Sequence, residues 1–250
     1  MVEEEYYRMA DTENEHWWYR CLHFLVLNHI KKYFKDRNIK MIDAGCGTGG
    51  LITFMKNQGY VNMDGFDVSD TAVQICKKRN IDAFKGDLRE ISKYYMDNHA
   101  DVVISNDTLY FLDMKEQRKL TDQICNLLKR DGLLITNIPA LNAFSGIHDI
   151  QVGIKKRFDR NDIWETFDRN KYTMLTEMYW PFVLSIPIWV TRLIQRIKMK
   201  LNPEIEIKSD LSMQGKLLNA ILFYITYIEN KIFSKKPFGS SLFLVMKKKN

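Results

Sequence analysis

Short apolar runs alternate with helically spaced apolar positions along most of the chain, and turn residues separate them. Met41-Ile42 reads as the end of a buried strand, and Leu51-Ile52-Thr53-Phe54-Met55 begins a helical pattern. Further strands are predicted at 61–69, 81–84, 100–107, 133–139, 172–180 and 240–246, with helices over 16–34, 69–78 and 115–129. The continuous apolar run in 100–107 suits a central parallel strand buried on both faces. Lys129-Arg130-Asp131-Gly132 reads as the end of the helix over 115–129, with basic last-turn residues and a terminal glycine. Strands alternating with helices argue for an α/β fold on a largely parallel sheet. An insertion at 181–238 holds two apolar segments, 181–190 and about 216–233. Pro181 and Pro187 interrupt the first, and neither is the run of ~20 apolar residues that a bilayer crossing needs.

The stretch between the first strand and its helix is Asp43-Ala44-Gly45-Cys46-Gly47-Thr48-Gly49-Gly50. Glycines let the backbone take positive φ and approach a ligand closely. The N–H groups at the helix start favour an electron-rich or anionic group. Gly45, Gly47 and Gly50 satisfy the G-x-G-x-x-G dinucleotide pattern. The acid-x-G-x-G-x-G pattern, opened by Asp43, fits as well. Asp67 falls at the end of the second strand, roughly 20 residues past the turn, where such folds place an acid for the ribose hydroxyls. The competing role for Asp67 is a helix cap, and Ser69 or Asp70 fills that better.

Composition narrows the class. Of 250 residues 46% are hydrophobic, enough for a packed core and too many for wholesale disorder. Cys21, Cys46, Cys76 and Cys125 show no C-x-x-C spacing, so neither a zinc site nor a disulfide framework is expected, and a reduced cytoplasmic setting is. The acidic opening Met1-Val2-Glu3-Glu4-Glu5 lacks the apolar core of a secretory signal. The net charge of +6 has its basic residues away from the glycine turn, so no nucleic-acid groove is expected.

Asp43-Ala-Gly-Cys-Gly-Thr-Gly resembles motif I of the class I S-adenosylmethionine-dependent methyltransferases. In that family the acid lies beside the methionine end of the cofactor, whose amino group is cationic. A carboxylate beside a pyrophosphate would instead be repelled, so Asp43 favours this family over a nicotinamide enzyme. The resemblance implies a Rossmann-like, doubly wound seven-stranded sheet with its last strand antiparallel. It divides the chain into an N-terminal lid helix (1–40), a cofactor-binding core (41–180), a helical cap insertion (181–238), and the last strand with a basic tail (239–250). Leu128-Lys129-x-x-Gly132-x-Leu134 and Pro237-Phe238-Gly239-Ser240-Ser241-Leu242 resemble further segments of the family.

The same resemblance assigns residues. Gly45, Cys46 and Gly47 would form the turn beneath the cofactor. Asp67 would take the ribose, with Phe66 and Val68 flanking the adenosine. Gly86-Asp87-Leu88 resembles the turn that meets the adenine, Asp87 accepting from its amine. Asn106 ends the fourth strand, where ligands bind in open α/β sheets. His16-Trp17-Trp18-Tyr19-Arg20 resembles the lid of a bacterial group that acts on small molecules. Arg20 would then meet the cofactor carboxylate, with Tyr7, His16 and Trp17 walling the acceptor side. On this reading Arg20→Ala weakens cofactor binding far more than stability. Tyr110 stands about where the family carries a histidine near the methyl group. His148-Asp149, followed by Lys155-Lys156-Arg157-Phe158, resembles the group's acceptor loop, with Gly153 where a second histidine is usual. His148 would take a proton and Asp149 would orient it.

The implied activity is methyl transfer to oxygen, nitrogen or carbon of a small molecule, such as a specialised metabolite or sugar-like intermediate. Two alternatives accompany it. One is a lipid-linked or peptide substrate at a membrane surface, reached through the basic amphipathic stretch 181–200. The other is a nicotinamide-dependent oxidoreductase. For 181–238 the cap is favoured over a membrane-contacting face.

Overall fold

In the computed structural model β1 (Met41–Ala44) is buried along its whole length at the centre of a seven-stranded sheet. The structure describes residues 3–201, 215–233 and 235–249. Residues 202–214 of the expected cap lie outside that set, as do Met1, Val2, Ser234 and Asn250. The chain runs α1 (Glu3–Thr12), α2 (Trp17–Tyr33), β1, α3 (Gly50–Asn57), β2 (Met63–Asp67), α4 (Asp70–Lys78), β3 (Ala83–Lys85), α5 (Ile91–Tyr94) and β4 (Ala100–Ile104). It continues through α6 (Met114–Leu127), β5 (Leu128–Pro139), α7 (Ile147–Val152), α8 (Arg160–Thr166), β6 (Tyr172–Trp180), α9 (Ser185–Leu201), α10 (Lys216–Ile232) and β7 (Ser241–Lys248).

The strand order is β3-β2-β1-β4-β5-β7-β6. β1 to β5 are parallel neighbours, and β7 runs antiparallel between β5 and β6. Alternation along the strands feeds two cores. Met41, Val102, Ile104, Leu133 and Ile135 point to one face, packing with α2 and α3. Ile42, Val103, Leu134, Leu242 and Leu244 point to the other, packing with α6. The order reverses between β1 and β4, so their C-terminal ends diverge into a crevice, the place where open α/β sheets bind ligands.

Local rules account for most element starts. Ser69 Oγ accepts from the Ala72 N–H at α4, and Asp113 with Glu116 forms a capping box at α6. Two expectations are corrected. The helix expected through residue 129 stops at Leu127, because Leu128 already pairs with Ala100 in the sheet. Asp131, at φ 62°, makes the left-handed turn there, and Gly132 is not a helix cap. The second concerns α1, which the apolar pattern did not reveal; its acidic first turn of Glu3, Glu4 and Glu5 suits the helix dipole. Pro187 sits in the first turn of α9, where its missing N–H has no helical partner to lose.

Candidate active site

The crevice above β1 and β4 opens into a cavity of about 650 Å³. Its floor is the glycine turn. Gly45 has φ 84°, and a Cβ there would stand 2.5 Å from Thr108 Cγ2. Gly49 has φ 85° and would drive a Cβ to 2.4 Å from Ile81 Cδ1. Both positions exclude side chains on two independent grounds, conformation and space.

Two N–H groups of this turn are taken by the chain's own carboxylates, and those of Gly45, Cys46 and Gly49 by backbone carbonyls. Gly47 N donates to Asp67 Oδ2 at 2.9 Å, and Gly50 N donates to Glu13 Oε2 at 3.1 Å. Glu13, in the link between α1 and α2, also accepts from Thr48 Oγ1 at 2.7 Å and pairs with Arg79. A pyrophosphate would need those same N–H groups and would meet two buried acids, which argues against a nicotinamide dinucleotide. Asp67 also accepts from Ser69 N at 2.9 Å and from Tyr6 Oη at 3.4 Å, and its carboxylate still lines the cavity. Asp43 is buried at the cavity wall. Burial first, then the negative charges of Asp67 and Glu13, push its carboxyl up to about 8. A cation bound beside Asp43 would offset both causes.

The N-terminal helices form one wall. Tyr6, Met9, His16, Trp17 and Tyr19 line the cavity. His16 caps α2 through Nδ1, which accepts from Trp18 N at 3.3 Å. Its Nε2 is buried without a hydrogen-bond partner, and burial lowers its pKa to about 4, so the ring is neutral near pH 7. Two assignments fail here. Tyr7 is 49% exposed and outside the cavity, because one step along α1 turns it away while Tyr6 faces in. Arg20 faces α10, its guanidinium carbon 3.9 Å from the centre of the Phe223 ring, and does not line the cavity. Arg20→Ala is therefore expected to reduce stability by about 1 kcal/mol and to leave cofactor affinity, read by calorimetry, within about threefold. A larger affinity loss would restore Arg20 to the site.

The opposite half is built from the end of β4, the end of β5 and α7. Asn106 Oδ1 is buried without a partner at the cavity wall. Asp107 lies beside it and takes φ 54°. Asn137 Nδ2 donates to both Asp107 oxygens, at 3.0 and 3.1 Å, and Asn137 Oδ1 accepts from Trp180 Nε1 at 2.8 Å. Burial raises the Asp107 carboxyl to about 7 against the lowering effect of Asn137 and Arg157. Tyr110 and His148 line the same half, and burial holds the Tyr110 phenol protonated.

Asp149 is a third corrected assignment. Both its oxygens are held by Arg157, from Nε and Nη2 at 2.7 Å each, and it does not line the cavity. Arg157 also donates to the carbonyls of Ala140 at 3.0 Å and Ser240 at 3.1 Å, so the pair ties α7 to the sheet. Asp87 is engaged likewise. It accepts from Arg89 N and Nε at 2.9 Å, and it lies outside the cavity lining. Leu88 packs into the core behind the turn, and Val68 is 60% exposed. Tyr6, Glu13, Asp107 and Arg157 also line the cavity, and no motif in the sequence marks them as site residues. Asp107 ends the apolar run 100–107 and Arg157 belongs to the basic-aromatic stretch 155–158, whereas Glu13 carries no local signal, since its role depends on how α1 folds over the turn.

These features fit S-adenosylmethionine, which carries a sulfonium, an ammonium, a carboxylate and ribose hydroxyls. Asp43 and the orphan atoms of Asn106 and His16 supply matching groups. Known proteins agree. A carboxy-S-adenosyl-L-methionine synthase of Sulfurimonas denitrificans is 31% identical over 129 residues, covering 48% of this chain and 54% of that protein. Curated relatives are matched over 34 to 59% of their own length. Among solved structures, an S-adenosylmethionine-dependent methyltransferase from Archaeoglobus fulgidus has a TM-score of 0.53 at 17% identity, over 91% of this chain and 94% of that one. Geranyl diphosphate C-methyltransferase from Streptomyces coelicolor A3(2), solved with S-adenosyl-L-homocysteine, has a TM-score of 0.52 at 12% identity, over 91% and 77%. At such identities the two structures speak to the fold alone. The methyltransferase domain family matches residues 35–170. With that match over more than half its length, the chain belongs to the class I S-adenosylmethionine-dependent methyltransferases.

Proposed function

We propose that this methyltransferase acts on an oxygen or nitrogen nucleophile of a small molecule, held between Tyr110, His148 and the roof helix α9. The observation that carries this reading is the half-buried Asp107 carboxyl lining the acceptor half of the cavity, where Asn137 Nδ2 donates to both its oxygens and desolvation raises it to about 7. A general base works best with a pKa near the working pH. The cavity of about 650 Å³ falls in the range of roughly 300–1,000 Å³ typical of small-ligand sites. S-adenosylmethionine supplies an electrophilic methyl group on a sulfonium. In this reading Asp43 receives the cationic end, and Asp67 keeps one lone pair for a ribose hydroxyl. The α1–α2 wall shuts out water. Asp107, held by Asn137, takes the acceptor proton, and His148 orients the acceptor. The acidic turn and a nearby base support this reading over the nicotinamide alternative.

Incubating the purified protein with methyl-labelled S-adenosylmethionine and fractionated metabolite extracts tests it. Label is expected in a compound of low molecular mass, released as methanol or retained as an ether, ester or amine. Label appearing solely in protein or nucleic acid would overturn the small-molecule assignment.

A further inference from the structure

The roof of the cavity turns an apolar face outward as well as closing the site. α9 lines the cavity with Pro187, Ile188, Thr191 and Arg192. Its outer side exposes Ile186, Trp189, Val190, Ile194, Ile197 and Leu201. That spacing of three or four traces one continuous helical stripe, and it points away from the core. α10 repeats the arrangement. It contributes Leu222 to the cavity and Phe223 to the core, while Leu217, Ile221, Tyr224, Ile228 and Ile232 are exposed. Between α10 and Val183, just ahead of α9, runs an apolar groove of about 630 Å³. Its one carboxylate, Glu229, is turned inward. It accepts from the N–H groups of Phe182 and Val183 at 2.7 Å each and pairs with Lys236.

An amphipathic helix ordinarily hides its apolar stripe, and contiguous exposed apolar surface of this kind marks an interaction face. The charges on the two helices identify the partner. On α9, Lys198 and Lys200 are exposed, while Arg192 turns into the cavity and Arg196 donates to the carbonyls of Ala143 and Ser145; the helix has no acid. On α10, Lys216 and Lys231 are exposed, and its only acid is the buried Glu229. A second copy of the chain meeting this face about a two-fold axis would bring like charges together. An anionic bilayer surface offers the opposite sign and an apolar layer beneath it. Trp189 and Tyr224 have the amphipathic rings that sit at that depth, and Lys198 and Lys200 have stems long enough to keep their ammonium groups among the headgroups. Among the described residues no helix is long and apolar enough to cross a membrane, so docking would be in the plane of the interface.

We propose that the outward faces of α9 and α10 dock this enzyme on an anionic membrane surface. The full chain is to be floated with vesicles of phosphatidylcholine alone, and with vesicles of phosphatidylcholine and phosphatidylglycerol in equal parts. It is expected to rise with the anionic vesicles only, and less so in about 0.5 M salt, where screening is short-ranged. Ile194→Glu with Ile197→Glu, and separately Ile221→Glu with Ile228→Glu, should each lower partitioning by about tenfold or more. Lys198→Ala with Lys200→Ala should remove the preference for anionic lipid. All three variants should bind S-adenosylhomocysteine with unchanged affinity, which shows that the fold is intact. No flotation of the wild-type chain, or equal flotation of the glutamate variants, would overturn the proposal. So would a dimer, seen by light scattering, that the glutamate substitutions dissolve.

Discussion

Asp43→Asn is expected to lower affinity for S-adenosylmethionine about a hundredfold, roughly 3 kcal/mol, because it removes a buried charge facing a cation. The unliganded protein should not be weakened by the change. Burial raises the Asp43 carboxyl from 3.8 to about 8 in the folded chain. A raised carboxyl favours the folded state at low pH, and that contribution is lost as pH rises through the folded value. The D43N variant escapes the loss, so near pH 8 its thermal midpoint without ligand should equal or exceed that of the wild type. Ligand binding runs the other way. Wild-type affinity should climb between about pH 6 and 8, as Asp43 gives up its proton to meet the cation, and the variant should be flat. Calorimetric titration across that range reads both effects. Equal affinities of the two proteins at pH 8 would remove Asp43 from the cofactor site.

The second large effect is expected at Asp107. Once an acceptor is in hand, Asp107→Asn should reduce kcat by about a hundredfold or more, within the range of lost general-base catalysis, with cofactor affinity changed by less than about threefold. The wild-type kcat/KM profile should rise with pH around 7, where the folded Asp107 carboxyl titrates, and the D107N profile should lack that limb. His148→Ala provides the contrast. If His148 positions the acceptor, its loss raises KM and leaves the limb in place. A limb that survives in D107N and vanishes in H148A would hand the proton to His148.

The two acids differ in how legible they were. Asp43 directly precedes a glycine turn, so the spacing of the motif identified it, although its raised pKa comes from burial and from the distant Asp67 and Glu13. Asp107 was visible only as a polar residue at a strand end. Its pKa is raised by burial and lowered by Asn137 and Arg157, which belong to segments distant in the chain. Arg20 shows the converse. A motif placed it beside the cofactor, yet packing of α2 against α10 gave its guanidinium the Phe223 ring. Asp149 and Asp87 failed for a related reason: each met an arginine first, Arg157 and Arg89 respectively.

The sequence by itself determined the strands, the helices α2, α3, α4, α6 and α10, and the glycine turn at the end of β1, because backbone conformation and the alternation of faces follow from residues a few positions apart. It determined the acid-led turn that marks the family as well. Tertiary structure decided what long polar side chains touch, which of Tyr6 and Tyr7 faces the cavity, and that Glu13 seals the turn. It also decided that the stripes of α9 and α10 point outward. A periodic pattern states that a helix has an apolar face; only the packing of the whole chain states whether the core or the surroundings receives it.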